Sequence, residues 1–361
     1  MRSKYTLYIL FSLLLLFFCS KSDETYTIEI KDGVKYVHNH APLWSDETKV
    51  ALEFVQKIGE LEGEDENYLL YNPYDITRNT DGNLYILDQG NYRIQKFDKH
   101  GKYLATIGRQ GQGPSEFVFP IRIDIDSEGN LYIGDLGNYS VLVLTNDGKE
   151  IKRFKLTGGV EKFRLMHNCN FLLATSISKQ SEPGVISLYN KEGNLIKEFG
   201  VFKDYGNKDL TNRGNAAVTC VDANDNIYVT FYNQNRIEKY SHEGILIFRT
   251  DWPLNYKIGI DNKKIKILSS GKAFYRFTPV SEYIGVDHKN RIWVQTYIKQ
   301  KDEGDEPLDY FEFKIFDNNG VLLGNLSPPQ NFNIMRIFQD RLYLIDRKEE
   351  MCVYEYKIVE K

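Results

Sequence analysis

Hydrogen-bonding side chains recur at set positions along the chain. Asp88, Asn91, Tyr92 and Arg93 are followed 47 residues later by Asp135, Asn138 and Tyr139, and further on by Asn233, Asn235 and Arg236, then Asp346 and Arg347. Clusters of carboxylate, amide, phenol and guanidinium groups can read the polar edges of a peptide or glycan. The same residues have a plainer use. Asp and Asn bond nearby backbone amides and so form turns, and an Arg repeated in register can pack its stem between sheets.

Other chemistry is thinly represented. His38 and His40 have ligand-like spacing, but a zinc site needs at least a third ligand. His100 and His242 fall in equivalent hairpins, and His167 and His288 in turns, where they are not expected to converge. Asp75 and Asp124 are carboxylates within apolar strands. The segment Gly108-Arg-Gln-Gly-Gln-Gly-Pro114 is rich in glycine but lacks the Lys-Ser/Thr of a phosphate loop. It reads as a connection in which Arg109 and Glu116 face a ligand. No nucleophile stands with a base and no acid is paired, so no catalytic residue, metal ligand or cofactor is assigned. Beyond Cys19 there are Cys169, Cys220 and Cys352, an odd count that reads as free thiols.

These residues must be positioned by a repeat. Residues 72–104 contain Asn72-Pro-Tyr-Asp-Ile-Thr, then Asp81-Gly-Asn-Leu-Tyr-Ile-Leu-Asp88, then Asn91-Tyr-Arg-Ile-Gln-Lys-Phe-Asp98 and Gly101-Lys-Tyr-Leu104. Each piece is a short strand of period two ended by a tight turn. A second copy lies 47 residues on, with Glu128-Gly-Asn-Leu-Tyr-Ile-Gly-Asp135 and Asp147-Gly-Lys-Glu-Ile151. Further copies begin near Asn170, Asp225, Asn290 and Asp340. From the second strand to the later hairpin glycine the spacings are 17, 17, 22, 17 and 28. Four antiparallel strands per unit, repeated six times, predict an all-β six-bladed β-propeller. The sixth copy stops at Lys361 after three strands. Lys49–Gly59 is similar to the outer-strand segment Tyr103–Gly108, so residues near 49–58 are expected to complete the last blade.

The stretch 81–98 resembles an NHL repeat, and Ile107–Phe117 resembles a linker of bacterial six-bladed propeller lipoproteins; the resemblance spans residues 45–361. It implies the fold, an exported setting and, in most such propellers, a binding or scaffolding role. It also implies a face, built by the loops from second to third strand and from blade to blade, where ligands bind. On that face lie Asp88, Asn91, Arg93, Arg109, Asp135, Asn138, Tyr139, Asn235 and Arg236. Some propellers of this type are lyases or hydrolases that hold calcium or zinc in the channel, which here would fall to Asp75 and Asp124. The acidic run 299–309 lengthens a loop of the fifth blade and reads as a solvated loop, a lid or a partner contact.

The N-terminus has a further message. Arg2 and Lys4 precede an apolar run from Tyr5 to Phe18, shorter than the roughly 20 residues that span a bilayer, and then Cys19. This is a signal-peptide layout, and Leu16-Phe-Phe-Cys19 resembles a lipobox, although Phe18 stands where a small residue is usual. The expected organisation is a signal peptide over 1–19 lipidated at Cys19, a linker over 20–44 and the propeller over 45–361. Lipid attachment tethers a protein without spanning the membrane. Net charge is −4 with no basic block, which argues against nucleic acid. The whole reads as an exported envelope lipoprotein, at the outer membrane, in the periplasm or secreted. Its non-catalytic propeller would bind a protein, peptide or glycan; the alternative is a metal-dependent lyase or hydrolase.

Overall fold

The computed structural model describes residues 24–361 except 46, 157–161, 175–183, 207, 268–272 and 301–305. The expected signal peptide with Cys19, and the centre of the acidic run, lie outside the described residues.

Six four-stranded antiparallel blades stack around a channel. The innermost strands, in order of blade, are Pro73–Arg78, Pro120–Ile125, Phe163–Leu165, Ala217–Val221, Ser281–Val286 and Ile334–Phe338. Apolar residues on both faces of each blade are buried against the next. Leu87 and Ile94 of blade 1 share a cluster with Ile123, Leu131 and Ile133 of blade 2. Burial on both faces explains the near-continuous apolar runs of the second strands, such as Leu84–Asp88 and Leu131–Asp135, every residue of which is buried.

The ring closes as the sequence predicts. Val50–Ile58 forms the outer strand of blade 6, antiparallel to Cys352–Glu360, with Val50 opposite Glu360 and Ile58 opposite Val353. The last strand of the chain is therefore covered by a strand that precedes the first blade.

Turns repeat with the blades. Asp126 accepts bonds from the amides of Glu128 and Asn130. Asp222, Asp287 and Asp317 do the same two and four residues ahead. The glycine of such turns adopts a positive φ, 87° at Gly129 and 89° at Gly148, which costs it no Cβ clash.

The stretch expected as a linker is partly a structural element. Tyr26–Lys31 and Val34–Asn39 form a hairpin through Asp32-Gly33, both at positive φ. Its second strand runs parallel to Leu246–Asp251 and extends blade 4 to six strands. Buried Asn39 locks it in place, donating to Thr250 Oγ1 and Asp251 O at 2.8 Å and accepting from Leu322 N of blade 5 at 2.7 Å.

Candidate functional site

The polar loop residues singled out above are placed in separate, self-contained units. Asp88 is fully buried. Its carboxylate accepts from Tyr71 N at 2.7 Å and from Asn91 Nδ2 and Arg93 Nε at 2.8 Å each, while Arg93 also donates to Leu69 O at 2.6 Å. The unit fastens the segment entering blade 1. Blade 2 repeats it: buried Asp135 accepts from Val118 N, Phe119 N, Gly137 N and Asn138 Nδ2. Tyr139, at φ 47°, is left projecting into solvent. Arg109 is also exposed and donates to Glu116 Oε1 at 2.8 Å. The glycine-rich segment is a blade-to-blade loop whose Gly108 lies against the Phe117 ring.

Asn235 and Arg236 stand elsewhere, in a cavity of about 270 Å³ between blade 4 and the N-terminal hairpin. Asn235 donates to Trp252 O at 2.6 Å, and the Arg236 guanidinium lies 4.0 Å from the centre of the Phe231 ring. His38 lines the same cavity, its Nδ1 2.8 Å from Asp251. His38 therefore sits on a strand and His40 just past its end, where it meets Thr27 instead of a shared ligand.

A layer of charge crosses the channel, which the loop residues do not do. Arg336 of blade 6 places Nε 3.0 Å from Asp75 of blade 1 and Nη2 2.6 Å from Asp124 of blade 2. Arg164 of blade 3 reaches Asp124 at 3.2 Å and Thr219 O of blade 4 at 3.3 Å. Asp75 and Asp124 also accept from the backbone of the next blade, at Ile123 N and Leu165 N. Burial pushes both carboxyls above their usual range while Arg336 pulls them down. The two carboxylates considered for a metal are thus already held by guanidinium groups. Among the described residues no set of three or more His, Cys, Asp or Glu side chains is grouped to hold a metal ion.

Below this layer, on the side of the first-to-second strand turns, opens a cavity of about 420 Å³. Asp124, Arg164 and Arg336 line it, with His167 and His288 at its mouth. These two histidines, expected to stay apart, face one space. His167 is engaged by Asp225 at 3.0 Å, which holds its imidazole above the usual value. Above the layer, toward the blade-to-blade loops, Arg122 lies over the Tyr74 ring with Tyr232 and Tyr283 nearby, and Lys162 donates to Tyr232 Oη.

The sequence reading missed Arg122, Arg164 and Arg336. Their signal is a charged residue inside an otherwise apolar inner strand, as in Pro120-Ile-Arg-Ile-Asp-Ile.

A family model described as a 6-bladed beta-propeller matches residues 51–245. No curated protein matches the sequence. Among solved structures, a candidate exported protein from Bacteroides fragilis superposes with a TM-score of 0.64 at 13% identity, over 90% of this chain and 99% of its own. A member of a family of unknown function from Bacteroides vulgatus gives a TM-score of 0.59 at 11% identity, over 87% and 99%. At such identities the likeness is one of fold.

Proposed function

Because the chain belongs to the family of six-bladed β-propellers whose model it matches, we propose that it is an exported envelope lipoprotein of NHL type. Its propeller binds a protein, peptide or glycan at a mouth of the channel without transforming it. The observation that carries this reading is the pairing of Asp75 and Asp124 with Arg336 and Arg164. A carboxylate whose oxygens are taken up by guanidinium groups and backbone amides is not free to take a cation, whereas a charge-lined channel suits recognition. Export is supported by the charged and apolar N-terminus and by the likeness to a candidate exported protein, and the lipid by Leu16-Phe-Phe-Cys19 alone.

Intact-mass measurement on membrane-extracted full-length protein, beside Cys19→Ala, tests the setting, and metal analysis of the same sample tests the chemistry. An acyl mass on Cys19 that is lost in the variant, with no stoichiometric metal, supports the proposal. An unacylated chain carrying one metal per molecule overturns it in favour of a metal-dependent lyase or hydrolase.

A further inference from the structure

One guanidinium buried in the channel has no carboxylate bound to it. Arg122, Arg164 and Arg336 face Asp75 and Asp124, and four of these five, all but Arg164, are under 10% exposed. Arg164 and Arg336 are paired with these carboxylates, and Arg122 is not. Among the described residues its side chain makes one hydrogen bond, from Nη1 to Ile121 O at 2.8 Å, and no ion pair. Asp75 lies within electrostatic reach but is already engaged, Oδ1 by Ile76 N and Arg336 and Oδ2 by Ile123 N. A buried cation without a partner is costly, and a guanidinium with free N–H groups forms a fork that fits a carboxylate in bidentate fashion.

The surroundings supply further donors. Tyr74 lies with its ring 5.8 Å from the Arg122 guanidinium, and the phenols of Tyr232 and Tyr283 stand nearby. Lys162 stands over the Tyr232 ring at 4.3 Å and Arg347 over the Tyr74 ring at 3.8 Å. With these ring faces occupied by cations, the mouth is poorly suited to stacking a neutral sugar and well suited to an anion. The nearby Glu282 carboxyl accepts from Tyr297 Oη, and burial raises it toward its neutral form.

We infer that Arg122 is the base of an anion site in the channel, on the side of the blade-to-blade loops, and that it takes the carboxylate of the ligand. This rests on the binding role proposed above and specifies its chemistry. The carboxylate can come from an acidic sugar or from a peptide C-terminus, and the test separates the two.

The experiment is calorimetric titration of the full-length protein at constant ionic strength with glucuronate, N-acetylglycine and inorganic phosphate, for wild type, Arg122→Gln and Arg122→Lys. Saturable binding of glucuronate or of N-acetylglycine is expected, and whichever binds identifies the source. Affinity should fall at least tenfold in Arg122→Gln and stay reduced in Arg122→Lys, which keeps the charge but loses the fork. Melting without ligand guards against misfolding: removing an unpaired cation leaves Tm unchanged or higher. Absence of carboxylate binding, binding of phosphate alone, or equal carboxylate affinity in Arg122→Gln overturns the inference. A glycan or peptide array on which wild type and Arg122→Gln retain the same partner would leave the binding role standing while this site fails.

Discussion

Arg336 joins three blades through a single side chain. Its guanidinium holds Asp75 and Asp124 and also donates to Ile76 O and Ile123 O at 3.2 Å each. Loss of one partner of a buried pair costs about 3–5 kcal/mol because the remaining charge is stranded. Arg336→Gln should therefore lower Tm by on the order of 10 °C, read by calorimetry; an unchanged Tm would mean that this layer does not hold the blades together. His167 gives a prediction in pH. Its bond to Asp225 raises the imidazole pKa, and Asp225 is lowered despite its burial, by His167 and by two backbone amides. A raised histidine stabilises fully below its unfolded value of about 6.5 and loses that contribution as pH rises through its folded value. The lowered Asp225 contributes above about pH 4 and loses its share on acidification. Denaturant unfolding of wild type should thus show a stability increment between these limits that fades as pH rises through the raised histidine value and is reduced in His167→Gln.

Elements carry the closure. Val50–Ile58 supplies the fourth strand of blade 6 and places buried Val50 and Ile58 in the neighbouring apolar clusters. Without it Cys352–Glu360 becomes an exposed edge, which invites association with other chains. Deletion of residues 49–58 should lower Tm sharply and promote aggregation, followed by thermal melting with light scattering; a melting curve like that of the full chain would refute the closure. This strand was legible because it copies the motif of another blade's outer strand. The hairpin over 26–39 was not read as structure, since its Asp32-Gly33 turn is an ordinary local signal. What fixes it is distant: the parallel pairing with Leu246–Asp251 and the Asn39 bonds to blades 4 and 5.

At the scale of the whole molecule, the period of the repeat decided the architecture before any coordinates. Tight Asp/Asn-Gly turns, period-two strands and six near-regular copies have few solutions other than a ring of blades, because each blade must bury both faces against its neighbours. The sequence by itself also determined the turn chemistry, for Asp88, Asp126 and Asp135 act on amides within reach of their own loops or on the loop entering their blade. The channel was decided only by tertiary structure. Asp75, Asp124, Arg164 and Arg336 are separated by 40 to 261 positions along their contacts, and nothing local says which carboxylate meets which guanidinium. Pairing at that distance depends on how the ring brings inner strands together, and so does the placing of Arg122, which among the described residues has no ion pair.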